Sequence, residues 1–243
     1  MLLNGYKSIY TLTKTKRAST LTMTKHQSDP SVKDNAYWDT YYAKKEVPAI
    51  PSNFAESILL SIDKSKLLLE LGCGNGRDSF FFARNNIQTV GLDLPAQAIE
   101  QNNSFGHDNV TFQVADFTAL DKDQFPNVGN VYSRFTLHSV DQESYERTVD
   151  WCADNLAPGS GMLFLEARTV NDPLCGQGTN VGEGGYVTTH YRRFAEIKDV
   201  MKDLKSRGFE LFHVSENYTN SWYKDDHAVV YRITAKKMSP GEK

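Results

Sequence analysis

The sequence predicts an α/β fold: a doubly wound, mostly parallel sheet with helices on both faces. Three observations carry this. Short apolar runs of strand length recur between residues 67 and 167 and alternate with stretches of helical periodicity. Residues 67–93, LLLELGCGNGRDSFFFARNNIQTVGLD, follow the order strand, glycine loop, helix, strand, acid. The polar residues of chemical interest fall just after strands, at the edge where such sheets bind ligands.

The elements follow in order. The aromatic run NAYWDTYYAKK (residues 35–45) places Trp38, Tyr41 and Tyr42 at i, i+3 and i+4, one face of a helix. Residues 47–52, with Pro48 and Pro51, form a linker, and Ser52 caps a helix over 53–61. Leu67, Leu68, Leu69 and Leu71 make a strand buried on both faces. Helix 78–85 and strand 88–92 complete the opening unit, and Pro95 starts a helix over 96–102. Strands at 110–115 and 130–135 follow, then a helix capped by Asp141 and running to about residue 155. The turn LAPGSG precedes a strand at 162–167. Residues 168–193, rich in Gly, Asn, Asp and Thr, are expected to be a long loop, functional or disordered. A helix at 194–207 stops at Gly208, strands occupy 209–216 and 227–236, and 217–226 is expected to be a loop between them. About seven strands result.

The glycine loop has its own chemistry. Gly72, Gly74 and Gly76 let the chain turn tightly and let a ligand approach the backbone. Asp93, ending the second strand, is placed to bond ribose hydroxyls. Arg77 stands where the dinucleotide fingerprint requires its third glycine, and Glu70 ahead of the loop suits an ammonium and repels a pyrophosphate. A purely structural turn and a nicotinamide or flavin site stand as the alternatives.

Composition narrows the classes. The 243 residues suffice for one full core, with 40% hydrophobic and 23% charged residues. A net charge of −3 gives no case for nucleic acid or membrane. Cys73, Cys152 and Cys175 form no C-x-x-C pair, which argues against a disulfide framework or zinc site and fits a reducing compartment. No metal site, nucleic-acid partner or membrane span is expected; the oligomeric state is not legible. Residues 1–27 hold five cations and no acid, which leaves −8 for the remainder of the −3 chain. This segment is either an organelle-import peptide or a leader without structure, with Met23 as an alternative start. The expected division is a basic leader at 1–34, one domain at 35–237 and a tail at 238–243, in the cytoplasm unless the leader directs import.

The pattern Glu70-x-Gly72-x-Gly74-x-Gly76 at the end of a first strand resembles motif I of the class I S-adenosylmethionine-dependent methyltransferases. The resemblance implies that the loop, Glu70 to Arg77 with Cys73 inside it, wraps the amino-acid end of S-adenosylmethionine. It implies that Asp93 and Leu94 meet the ribose. Asp116 would receive the adenine amino group, with Phe117 bordering the ring. Ser133 would close the cofactor set from the fourth strand, and Trp38 would lie over the cofactor on a lid helix. It also implies a seven-stranded sheet with an antiparallel final strand. From Tyr37 to Lys236 the chain is similar to a branch found near glycan-assembly genes, through YWDTYY, ELGCGNGRDS, GLDL, YSRFTLHSV, EARTVNDPL and THYRRF. Tellurite-resistance-type and thiopurine-type methyltransferases are more distant look-alikes.

On the acceptor side, a hydroxyl must lose a proton on methylation, and His138 after the fourth strand is the expected base, with His190 second and Arg134 beside them. Glu166, Arg168, Tyr191 and Arg192 are expected to bind acceptor, with Arg193 adjacent; a structural pair between Glu166 and Arg168 along their strand is the alternative for those two. The expected reaction is O-methylation of a sugar or glycan-linked group on a small-molecule or glycan acceptor. A thiopurine- or tellurite-type enzyme and a non-catalytic binding module are the alternatives.

Overall fold

The structure is a computed structural model and describes residues 37, 38, 40–42, 50–223 and 226–242. The basic leader and the Pro48 half of the linker lie outside the described residues. The main sheet holds seven strands: β1 (Leu68–Leu71), β2 (Thr89–Asp93), β3 (Val110–Val114), β4 (Asn130–Arg134), β5 (Met162–Arg168), β9 (Phe209–Tyr223) and β10 (Asp226–Lys237). Their order is β3-β2-β1-β4-β5-β10-β9. The first five run parallel and β10 is antiparallel to both neighbours. Strand order reverses between β1 and β2 on one side and β4 on the other. The crevice at that switch point receives the glycine loop.

Alternation along each strand decides which helix covers it. Leu68, Tyr132 and Phe164 point to one face, where α1 (Asn53–Ile58) and α2 (Arg77–Arg84) pack through Phe54, Ile58 and Phe82. Leu69, Val131, Leu163 and Leu165 point to the other, covered by α4 (Gln142–Asn155) and α5 (Ile197–Ser206). The helix α3 (Ala96–Ser104) joins α2 beside β3 through Ile99 and Phe80.

Two expected loops are structured. Residues 168–193 contain a three-stranded antiparallel sheet, β6 (Thr179–Gly182), β7 (Gly185–Val187) and β8 (Tyr191–Arg193). Glycines with positive φ at 182 and 184 make the β6–β7 turn, so the composition that suggested an open loop is hairpin chemistry. Residues 217–223 continue β9 instead of looping, paired with the start of β10. Because Val230 pairs with Arg168 at the carboxyl end of β5, this hairpin overhangs the ligand edge of the sheet.

Ser52 is the N-cap of α1, and its Oγ accepts from the Ala55 amide at 3.0 Å. The same hydroxyl donates to Asp78 in α2 at 2.7 Å. Ser52→Ala is expected to cost about 1–2 kcal/mol, from a lost cap and a lost bond to a buried carboxylate. Urea unfolding measures it, and an unchanged midpoint would remove Ser52 from the account.

Candidate active site

The glycine loop leaves β1 in left-handed backbone: Gly72, Gly74 and Gly76 have φ of 72°, 54° and 74°. A Cβ on Gly72 would come 2.4 Å from Thr136, and one on Gly74 would come 2.5 Å from the Tyr42 hydroxyl. Thr136 follows β4 and Tyr42 belongs to the N-terminal aromatic helix, so both close directly on the loop. Asp93 accepts from the Gly74 amide at 2.7 Å with one oxygen and from the Leu94 amide at 2.8 Å with the other. Asn102 of α3 donates to the Gly74 carbonyl at 2.9 Å. The loop is therefore set from the aromatic helix, β2, α3 and the segment after β4.

Glu70 is buried at the end of β1. It follows Leu68 by two positions, so alternation points it to the α2 face, where it accepts from the Ser79 hydroxyl. Burial, then the charge of Asp78, raises its pKa well above the ordinary carboxylate value. Asp78 has the opposite fate. Burial disfavours its charge, but Arg77, Arg134 and the Ser52 bonds outweigh burial and hold its pKa low. It accepts from the Ser52 amide at 2.8 Å and the Tyr132 hydroxyl at 2.8 Å, with Arg77 Nε at 3.3 Å.

The other cofactor-side residues divide. Trp38 stacks on Tyr42 with ring centroids 5.9 Å apart, and His190 lies 5.1 Å from Trp38 and 4.4 Å from Tyr37. The aromatic helix thus bridges the glycine loop and the inserted sheet. Cys73 is buried and holds the loop through its amide on the Leu92 carbonyl. Asp116 is exposed at the end of β3 and caps the turn Phe117–Ala119 by accepting from Thr118. Phe117 is in the core cluster with Leu92 and Trp151. Ser133 is buried, its Oγ without a hydrogen bond among the described residues.

On the acceptor side the alternative Glu166–Arg168 pair does not form. Arg134, Glu166 and Arg232 are direct cross-strand neighbours on β4, β5 and β10. Lateral neighbours lie about 5 Å apart, closer than i, i+2 along a strand. Glu166 consequently bridges Arg134 at 2.9 Å and Arg232 at 2.6 Å. Arg134 also donates to Ser221 of the overhanging hairpin at 3.1 Å, and Arg232 to Asn53 at 2.6 Å. Arg168 pairs instead with Asp172 at 2.7 Å, four residues on. Arg134 is thus held in a cross-strand ion-pair row.

Loop 135–138 joins both halves. His138 is buried, and its carbonyl accepts from the Arg193 amide at 2.7 Å. Its Nδ1 has no hydrogen bond among the described residues. Burial, then Arg168, Arg192, His190 and Arg193, pushes its pKa well below 6.5, so the imidazole is neutral. His190, bonded to the Thr189 hydroxyl at 3.2 Å, is pushed down to about 4 by burial, Arg192 and Arg168. Arg193 lies over the Tyr145 ring at 4.3 Å and donates to Gln142, pointing into α4. Arg192 donates to Thr188 at 2.8 Å. Tyr191 is buried in the inserted sheet against Gly185, whose Cβ would come 2.7 Å from its ring.

Sequence reasoning gave Tyr42, Thr136 and Asp78 no individual role, though they lie in stretches it singled out, and it did not reach Ser221. Their partners lie far away in sequence, so the motifs that contain them do not mark the pairs. Phe135 had a signal only in the backbone: its φ is 54°.

A family model described as "Methyltransferase domain" matches residues 68–159, from the start of β1 to the turn before β5. Phosphoethanolamine N-methyltransferase 1 of Triticum aestivum is 26% identical over 168 residues, 65% of this chain and 32% of that protein. The chain spans about a third of the length of the curated relatives it matches. An S-adenosylmethionine-dependent methyltransferase from Methanosarcina mazei superposes with a TM-score of 0.63 at 20% identity, covering 75% of this chain and 97% of that one. The Burkholderia thailandensis 1,6-didemethyltoxoflavin-N1-methyltransferase, solved with S-adenosylhomocysteine, gives 0.63 at 13% identity, covering 86% and 89%.

Proposed function

We propose that this chain, a class I S-adenosylmethionine-dependent methyltransferase by its domain and its fold, methylates a hydroxyl of a small-molecule or glycan acceptor, with a sugar hydroxyl first in line. His138 carries the reading. It is an imidazole kept neutral by burial and neighbouring cations, one turn of loop from the Thr136–Gly72 contact. Methylation of an alcohol requires such a proton acceptor, whereas a thiolate requires none.

The residues fit S-adenosylmethionine. Three glycines in left-handed backbone present main chain at the crevice, and the Asp93 carboxylate stands at the end of β2. When bound, the cofactor supplies a methyl group on a sulfonium. The chain's residues do the rest. The glycine loop and Asp93 orient the cofactor, the aromatic helix excludes water, and His138 takes the hydroxyl proton as the acceptor oxygen forms its bond to the methyl carbon. The products are a methyl ether, S-adenosylhomocysteine and an imidazolium that returns its proton to solvent.

The domain would extend over residues 35–237, with 1–34 a basic leader and 238–243 a tail. No helix among the described residues is long and apolar enough to cross a membrane. A second reading, methylation of the amine of a phosphorylated amino-alcohol, is favoured by the names of the curated relatives. Release of S-adenosylhomocysteine across sugars, sugar phosphates, phosphoethanolamine and thiols separates the two. Turnover confined to phosphoethanolamine would replace the hydroxyl reading.

A further inference from the structure

The aromatic helix touches both halves of the site. Tyr42 closes on the glycine loop, its hydroxyl 2.5 Å from where a Cβ on Gly74 would stand. Trp38 stacks on Tyr42 with ring centroids 5.9 Å apart and planes 23° apart, the i, i+4 geometry of one helix face. Tyr37 stacks on Tyr41 in the same way, at 6.0 Å and 26°. At their other end both stacks meet the His190 ring, which lies 4.4 Å from Tyr37 and 5.1 Å from Trp38.

His190 is itself firmly placed. It ends the turn between β7 and β8 and is buried. Its carbonyl accepts from the Thr188 amide at 3.2 Å, and its ring bonds the Thr189 hydroxyl at 3.2 Å. β8 is fixed in turn, because the Arg193 amide donates to the His138 carbonyl at 2.7 Å. The inserted sheet is therefore anchored to the domain and offers the helix a flat ring to pack on. A helix keeps its place by side-chain packing more than by its own propensity. Without the His190 ring, Tyr37 and Trp38 lose their contact with the sheet, and Tyr42 is no longer held against Gly74. A ligand must then order helix and loop together, and that ordering subtracts from its affinity.

We infer that His190 is a positioning residue: it docks the aromatic helix on the inserted sheet and so sets the affinity of the glycine loop for S-adenosylmethionine without touching the cofactor. The inference rests on the glycine loop being the cofactor site and is independent of the acceptor. It gives the inserted sheet a role on the cofactor side of the crevice, and His190 a role other than proton transfer.

The test is calorimetric titration of S-adenosylhomocysteine into the full chain, with thermal melting alongside. His190→Ala is expected to bind about tenfold more weakly with the domain still folded, because the ring contacts no longer order the helix over the loop. Trp38→Ala is expected to lose at least as much. His190→Phe restores a flat ring without nitrogen and is expected to bind within about threefold of wild type. In a Trp38→Ala background, His190→Ala is expected to add no more than about a threefold loss, because the two changes break one contact. Four results overturn the inference: a folded His190→Ala that binds as wild type does, His190→Phe as weak as His190→Ala, fully additive losses with Trp38→Ala, or unfolding of His190→Ala. Failure of the cofactor-site reading shows separately, as wild-type protein that does not bind S-adenosylhomocysteine at all, and it takes the inference with it.

Discussion

Asp93→Ala should weaken S-adenosylmethionine binding on the order of 100-fold while leaving the protein folded. The carboxylate accepts from two main-chain amides, Gly74 at 2.7 Å and Leu94 at 2.8 Å. Hydrogen bonds to a charged group contribute roughly 1.5–3 kcal/mol each. One of these two holds the middle of the glycine loop, where φ is 54° and the Tyr42 ring packs directly above. Without it the loop must be ordered by the ligand, and the ordering cost subtracts from affinity. The ribose contact expected of an acid at this strand end would be lost as well. Asp93→Asn keeps an acceptor oxygen without the charge and should lose only about tenfold. Isothermal titration measures both, with thermal melting alongside. If Asp93→Ala binds as the parent does, the crevice at β1, β2 and β4 is not the cofactor site.

What could be read in advance followed from local chemistry. Strand alternation, the three glycines, Ser52 and Asp141 as caps and Gly208 as a stop each act within a few residues, so the element order and the crevice were legible. The misreadings lay where tertiary neighbours decide. A pair of Glu166 with Arg168 two positions on was the alternative for those residues, but β10 brings Arg232 and β4 brings Arg134 closer. The Ser79 hydroxyl that donates to Glu70 comes from nine residues on, at the start of α2, and its approach had no mark in the motif. The inserted sheet hid behind a glycine-rich composition shared by loops and tight hairpins. The Phe135 backbone had no sequence signal, because phenylalanine is a residue from which positive φ is not expected.

His138→Asn is expected to lower kcat by about 100- to 1,000-fold on a hydroxyl acceptor, the contribution typical of a positioned base, with cofactor affinity unchanged. The pH dependence makes the role specific. Burial, followed by Arg168, Arg192, His190 and Arg193, holds the pKa of His138 well below 6.5. A lowered pKa keeps the imidazole unprotonated as the solution turns acidic, so on an acceptor without titrating groups kcat/KM should stay level through pH 6.5. A solvent-exposed histidine base would lose half its activity there. The same shift has a thermodynamic sign. Below pH 6.5 the unfolded chain takes up protons that the folded histidine refuses, so stability present above 6.5 is lost as pH falls toward the folded pKa. His190, pushed down to about 4 by burial, Arg192 and Arg168, adds a loss of the same sign between 6.5 and 4. His138→Asn should therefore make the acid limb of a denaturation-midpoint curve shallower, leaving the His190 share, while lowering turnover on alcohols by the same factor of about 100 to 1,000. A variant with the shallower curve that methylates at the parental rate would make His138 a buried structural histidine and leave the acceptor proton to another group. The low pKa also limits its strength as a base. An anionic acceptor beside the Arg168 and Arg192 guanidiniums would raise it, moving the acid limb of kcat, but not that of kcat/KM, toward neutral pH.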